Sequence, residues 1–258
     1  MRIVFIGSGN IAHFFATRLQ RKGHDLVQVY SRDAGHAAAL AALCGMPSVT
    51  TELSDIDHSA DAYILAIKDD ALPEVARQLR FDGKVVIHCA GALPLEAIAG
   101  TAGDLAVIWS LYSVKKANLP QSDEVPLVVE ANTGRARETA LALARDISGT
   151  VLETDYTRRQ MLHLNAVFAN NFTNHLLAIA QKISEIHQLP FEILQPIIRQ
   201  TLEQTARVLP AESQTGPAVR HDEATISRHL ALLEDHPEWQ QVYAGITASI
   251  QQMNPSRS

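Results

Sequence analysis

Residues 1–15 read MRIVFIGSGNIAHFF, and the six from Gly7 to Ala12, GSGNIA, decide the fold. Arg2 to Ile6 is a short apolar, β-branched run of the kind buried in a parallel sheet. It stops at Gly7, and Ile11 to Lys22 continues with helix-compatible residues until Gly23. Strand, glycine turn and helix in that order are the context in which G-x-G-x-x-G/A points to a dinucleotide. Gly7 permits the tight turn, Gly9 lets a pyrophosphate approach the backbone, and Ala12 lets the helix pack on the strand. The helix start then offers unpaired N–H groups to an anion, so Gly7, Ser8, Gly9, Asn10 and Ile11 are the first cofactor-binding candidates. The plainer reading is a glycine turn in a sheet protein that binds nothing.

The segments that follow keep the same rhythm. Asp25 to Tyr30, Ala62 to Ile67 and Lys84 to Cys89 read as strands, with helices at Ala34 to Cys44 and Leu72 to Leu79. Ala106 to Trp109, Val125 to Glu130 and Val151 to Thr154 are further strands, and Arg135 to Ile147 a further helix. This alternation predicts an α/β Rossmann domain with a doubly wound, mostly parallel sheet over residues 1–155. After Asp155 no strand-like run returns. Helices are expected at Thr157 to Gln188, Phe191 to Leu209, Asp222 to Glu234 and Pro237 to Gln252, so residues 156–258 are expected to form an all-helical domain.

The end of the second strand bears on which dinucleotide binds, because an acid there holds the ribose 2′-hydroxyl of NAD. The chain has Tyr30-Ser31-Arg32-Asp33, with no acid at the strand's last residue. Ser31 and Arg32 suit a 2′-phosphate, which favours NADP (NADPH), while Asp33 argues for NAD. Loops after the later strands face the ligand in such sheets. They carry Lys68, a cofactor contact or a solvated lysine, and Cys89, a cofactor-side residue or a small buried hydrophobe. Asp69 and Asp70 precede the helix at Leu72 and read as helix caps rather than catalytic acids.

On the long helix from Thr157, His163, Val167, Asn170 and Asn174 are spaced four, three and four apart and share one face. Met161, Leu164, Phe168 and Phe172 take the opposite one. The polar row either lines a cleft or faces water. The loop TGPAVRHD adds Arg220, which can bind a carboxylate bidentately, and His221, which can transfer a proton. Asp222 reads as a helix cap and His229 as a packed histidine as readily as a functional one.

Composition excludes several classes. Apolar residues make up 47% and charged residues 19% of 258, the balance of a globular protein. A net charge of -6 without a basic cluster gives no footprint for nucleic acid, and no apolar run reaches membrane-spanning length. A first strand at Arg2 leaves no room for a leader, and two cysteines, Cys44 and Cys89, suit free thiols in the cytoplasm. The eleven histidines show no zinc spacing, so no metal is expected.

Taken together, IVFIGSGNIAHFFATRL and VYSRD resemble the start of the pyrroline-5-carboxylate reductase and 6-phosphogluconate dehydrogenase-like superfamily. LHLNAVFANNFTNHLLAIA and TGPAVRHDEATISRHLALL resemble a Rossmann-like family carried as domain of unknown function 2520, and the resemblance spans nearly the whole chain. It implies an N-terminal NADP-binding domain, a helical C-terminal domain and a homodimer built through the long helices, but no substrate. Three departures stand out. Trp109 to Lys116, WSLYSVKK, replaces a proline-containing PLQTF-like segment; His221 replaces a usual glycine; and Ala166, four before Asn170, stands where related hydroxyacid dehydrogenases carry lysine.

The expected function is an NADP(H)-dependent oxidoreductase acting on a small carbonyl or imine in an interdomain cleft, with His163, Asn170 and Arg220 positioning and protonating the substrate. The missing lysine motivates another class, a nucleotide-responsive binding or sensor protein without turnover.

Overall fold

The computed structural model describes residues 1–255, so the last three residues of the expected 156–258 domain lie outside the described residues. The chain divides into two compact units, residues 1–169 and residue 170 onward.

The first unit is built on one sheet of β1 (Arg2–Ile6), β2 (Asp25–Tyr30), β3 (Ser48–Thr50), β4 (Ala62–Leu65), β5 (Val85–His88), β6 (Asp104–Ser110), β7 (Leu127–Ala131) and β8 (Val151–Glu153). Their spatial order is β3-β2-β1-β4-β5-β6-β7-β8. The order reverses between β1 and β4, which pair in parallel from Ile3 with Ala62 to Ile6 with Leu65. Ligands bind outside the carboxyl ends of strands at such a reversal.

The helices of this unit are α1 (Asn10–Arg21), α2 (Ala34–Cys44), α3 (Leu72–Arg77), α4 (Gly134–Ile147) and α5 (Tyr156–Ala166). Strand side chains alternate between faces. Ile3 and Phe5 therefore join Phe15 and Leu19 of α1, Leu40 of α2 and Leu143 of α4 in one core. Val4 and Ile6 join Leu72 and Ala76 of α3 with Phe81 and Trp109 in the other. Both faces are covered, as an apolar parallel sheet requires.

One pair departs from parallel: β7 runs antiparallel to β6, from Ala106 with Ala131 to Ser110 with Leu127. A parallel return needs a crossover, usually helical. Residues 111–126 form no helix, so the chain turns back on itself. The three-residue β3, Ser-Val-Thr, escaped the sequence reading because it is too short and too exposed to show a pattern.

Residues 157–188 are not one α-helix. Val167–Phe172 form a π-helical turn after α5, and α6 (Thr173–Ile186) follows. The α-helical period on which the spacing of His163, Val167, Asn170 and Asn174 relied is interrupted there. The second unit continues with α7 (Gln195–Gln204), α8 (Pro210–Ser213), α9 (Glu223–Leu232) and α10 (Pro237–Met253). The expected helix at Phe191 to Leu209 is shorter: a 3₁₀ turn, Phe191–Leu194, leads into α7 with Pro196 in its first turn.

Candidate nucleotide-binding site

At the reversal point a cavity of about 830 Å³ opens beside the glycine turn. Gly7, Ser8, Gly9 and Asn10 line it with Ser31, Arg32 and Asp33 from the end of β2 and Lys68 from the end of β4. Backbone bonds fix this arrangement: the Gly7 N–H donates to the Tyr30 carbonyl at 2.8 Å and the Ala66 N–H to Ile6 at 2.9 Å. The Ser8 hydroxyl donates to the Ser31 hydroxyl at 2.8 Å, joining the glycine turn to the strand end that the sequence singled out.

The two glycines differ in what they permit. Gly7 has φ +117°, and a Cβ there would lie 2.3 Å from the Ala66 carbonyl oxygen, so both conformation and packing demand glycine. Gly9 has φ -82°, and a Cβ would meet nothing nearer than that same oxygen at 4.0 Å. The protein itself gives no reason for glycine at position 9, whereas a ligand closing on the backbone does. No side chain caps α1 and its first turn holds no acid, so its leading N–H groups are left for an anion.

Arg32 and Lys68 make no ion pair among the described residues. Asp33, the residue that favours NAD, lines the same cavity, but its carboxylate accepts the His36 N–H at 2.9 Å and caps α2. That bond, with help from the His36 charge, holds its carboxyl below the usual range. Ile11 and Cys89 do not line the cavity; both pack against the core beneath α1. Burial pushes the Cys89 thiol well up, with the Asp69 charge adding, so it is no nucleophile.

The loop after β5 is held by a group that the sequence did not reveal. Arg159 of α5 is fully buried. Its Nη1 donates to the carbonyls of Ala90 at 3.1 Å and Gly91 at 2.6 Å, and its Nη2 to Leu93 at 2.8 Å. Its Nε donates to Glu130 Oε2 at 2.9 Å. Gly91 lies so close to Trp109 that a Cβ would meet the indole at 2.5 Å. No sequence signal marks a buried arginine in advance; its spacing on α5 is that of any surface residue.

His88, at the end of β5, is buried, and its Nδ1 accepts the Ala90 N–H at 3.2 Å. Burial, and then the Arg159 charge, lowers its pKa to about 3. The unfolded chain takes up a proton as the pH falls through about 6.5 and the folded protein does not, so stability is complete above that value and is lost on acidification. At pH 5 this single group costs about 2 kcal/mol. Urea unfolding at pH 7 and pH 5 should show this loss, reduced in His88→Asn; an equal loss in the variant excludes His88 as its source.

His163 stands edge-on to Trp109, ring centroids 5.5 Å apart. Asp69 is near enough to feel its charge, although burial dominates and pushes the Asp69 carboxyl up. Asp69 and Asp70 do not cap α3: no side chain bonds to its first turn, whose second residue is Pro73. The cap reading fails because the proline and a 3₁₀ turn leave little to cap, and the signal available was two acids after a strand end.

In the second unit, Asn170 Nδ2 donates to Asn171 Oδ1 at 3.2 Å, and Arg220 is exposed. His221 has φ +51°, a left-handed backbone that is uncommon outside glycine, and its ring pairs with the Asn254 carbonyl at 3.0 Å. Asp222 caps α9 as expected, accepting from the Thr225 N–H at 3.1 Å. His229 bonds the Tyr243 hydroxyl at 2.8 Å.

The family model for NADP oxidoreductase, coenzyme F420-dependent, matches residues 2–91, and that for domain of unknown function 2520 matches residues 125–250. A Bacteroides fragilis protein classed by its name among NADP oxidoreductases is 34% identical, with 97% of this chain and 98% of that one covered and a TM-score of 0.88. Protein TM1727 from Thermotoga maritima is 22% identical (98% of each chain, TM-score 0.74). Pyrroline-5-carboxylate reductase from Streptococcus pyogenes is 17% identical (98% of each, TM-score 0.62); these two share the fold. No curated protein matches the chain. With a relative this similar over its full length, the chain belongs to a family of NADP oxidoreductases that carry domain of unknown function 2520 after a Rossmann-like nucleotide-binding part.

Proposed function

We propose that the protein is an NADP(H)-dependent oxidoreductase that reduces a small carbonyl or imine. The observation that carries the cofactor choice is the β2 end: an unpaired Arg32 and the Ser31 hydroxyl face the cavity, while the competing acid, Asp33, is engaged as the cap of α2. Gly7, Ser8, Gly9 and Asn10 hold the pyrophosphate against the start of α1, Ser31 and Arg32 hold the 2′-phosphate, and Lys68 adds a cation. Residues 1–155 are then the nucleotide domain and 156–258 the domain for substrate and dimerisation.

With a dinucleotide held by those residues, the chemistry it would supply is hydride for the carbon of the C=O or C=N group. A proton must then reach the oxygen or nitrogen, and His163, beside Asp69 and Trp109, is the donor we assign. Asn170 has an amide that can polarise a carbonyl or imine and Arg220 a guanidinium that can bind a carboxylate, and the roles proposed for them rest on that chemistry. No helix among the described residues is long and apolar enough to cross a membrane; the two free thiols suit the cytoplasm.

The second unit favours a homodimer. Ala218 and Ile226 are its only buried apolar residues among those described, while Ile193, Leu209 and Leu232 are each about two-thirds exposed or more. A second copy of this chain covering those helices accounts for such a face. The native mass should be twice 28.2 kDa, and a monomer in dilute solution contradicts the dimer.

NADPH oxidation against keto acids, aldehydes and cyclic imines tests the activity. We expect turnover that falls by about 10²-fold or more in His163→Ala and in Arg220→Ala, with NADPH still bound. Tight NADPH binding with no turnover across the panel contradicts the reductase and leaves a nucleotide-responsive binding protein.

A further inference from the structure

We propose that Lys116 is a second cation for the 2′-phosphate of the dinucleotide, brought beside Arg32 by the link between β6 and β7. This rests on the nucleotide reading above and adds a specificity residue far from the fingerprint in sequence.

The link, residues 111–126, crosses to α1 and is held there at two places. The Lys116 N–H donates to Asn10 Oδ1 at 3.0 Å. Further on, Arg18 Nη2 donates to the carbonyls of Pro120 at 2.9 Å and Ser122 at 3.0 Å, and Arg18 also pairs with Asp123. The Arg18 side chain is almost wholly buried and lies over the Phe14 ring at 5.4 Å. A tight turn follows Lys115, closed by the Asn118 N–H on the Lys115 carbonyl at 3.0 Å.

Every bond that seats Lys116 therefore uses its backbone. Its side chain is exposed and lines the same cavity as Ser31, Arg32, Asp33 and His36. Neither Lys116 nor Arg32 makes an ion pair among the described residues. The Lys116 charge is felt at Asp33, after the larger effect of the His36 N–H, which puts it towards the β2–α2 turn. Arg32 and Lys116 are thus two cations without ion-pair partners on the wall of one cavity, and a dianion bound there meets both charges. A ribose hydroxyl has no such need. The pyrophosphate, common to both nucleotides, already has the α1 amides.

Equilibrium titration of the full chain with NADPH, NADH and adenosine 2′,5′-bisphosphate tests this in wild type, Lys116→Gln, Lys116→Arg and Arg32→Ala. Because the backbone holds the link, the Lys116 variants keep the fold, which thermal unfolding verifies. We expect Lys116→Gln to weaken NADPH and the bisphosphate by about tenfold or more, to leave NADH within about twofold, and to be rescued by Lys116→Arg. Equal weakening of NADPH and NADH moves the lysine to the pyrophosphate and overturns the proposal, as does no change in either. Loss of NADPH affinity in Arg32→Ala alone overturns the role of Lys116 and keeps the nucleotide reading. Wild-type protein that binds neither nucleotide overturns that reading itself.

Discussion

Arg159→Met is expected to destabilise the protein by about 3–5 kcal/mol, the cost of removing one partner from a buried charge pair. The guanidinium is inaccessible to water and serves four acceptors at once: Glu130 and the carbonyls of Ala90, Gly91 and Leu93. Methionine fills much of the volume and satisfies none of them. Adding Glu130→Gln to Arg159→Met should recover only part of the loss, because the three carbonyls stay unpaired. Urea unfolding of the single and double variants measures both terms, and a single-variant loss below about 1 kcal/mol would contradict a clamping role. The functional consequence follows from the position of the clamp. It fixes the loop beyond β5, next to Trp109 and His163, so loosening it should lower turnover more than it weakens nucleotide binding.

Gly7→Ala and Gly9→Ala should separate fold from ligand. A methyl at position 7 collides with the Ala66 carbonyl at 2.3 Å and sits on a backbone that L-residues avoid, so this variant is expected to lose stability and binding together. A methyl at position 9 meets nothing in the protein nearer than the Ala66 carbonyl oxygen at 4.0 Å and needs no unusual φ. Gly9→Ala should therefore melt within about 0.5 kcal/mol of wild type, the size of a neutral surface change, and lose NADPH affinity by about tenfold or more, about 1.4 kcal/mol. Retained affinity in a stable Gly9→Ala protein would show that the ligand does not approach the turn.

The parts of this architecture legible in the sequence were those governed by local pattern. The strand, turn and helix around GSGNIA carry their own signals in β-branched runs and glycine, and the β2 end shows Ser31 and Arg32 to anyone reading four residues. What local pattern could not show was contact across the chain. Arg159 meets the loop after β5 some 70 residues away, and Lys116 meets Asn10 across 106. Both are ordinary charged residues in sequence, and only the fold makes one a buried clamp and the other a cavity wall. The π-turn at Val167–Phe172 was hidden for the opposite reason, since its residues suit an α-helix and the extra width is visible only in the backbone. An acid before a helix usually caps it, but a 3₁₀ turn separates Asp69 from α3, whose second residue, Pro73, has no N–H to cap.

The central claim is that the cavity beside the glycine turn takes a nicotinamide dinucleotide carrying a 2′-phosphate. Calorimetric titration of the cofactor-free protein with NADPH and NADH tests it most directly. NADPH should bind saturably at one site per chain, with NADH weaker by about tenfold or more. Equal affinity for the two would remove the role given to Ser31 and Arg32, and binding of neither would contradict the nucleotide site altogether.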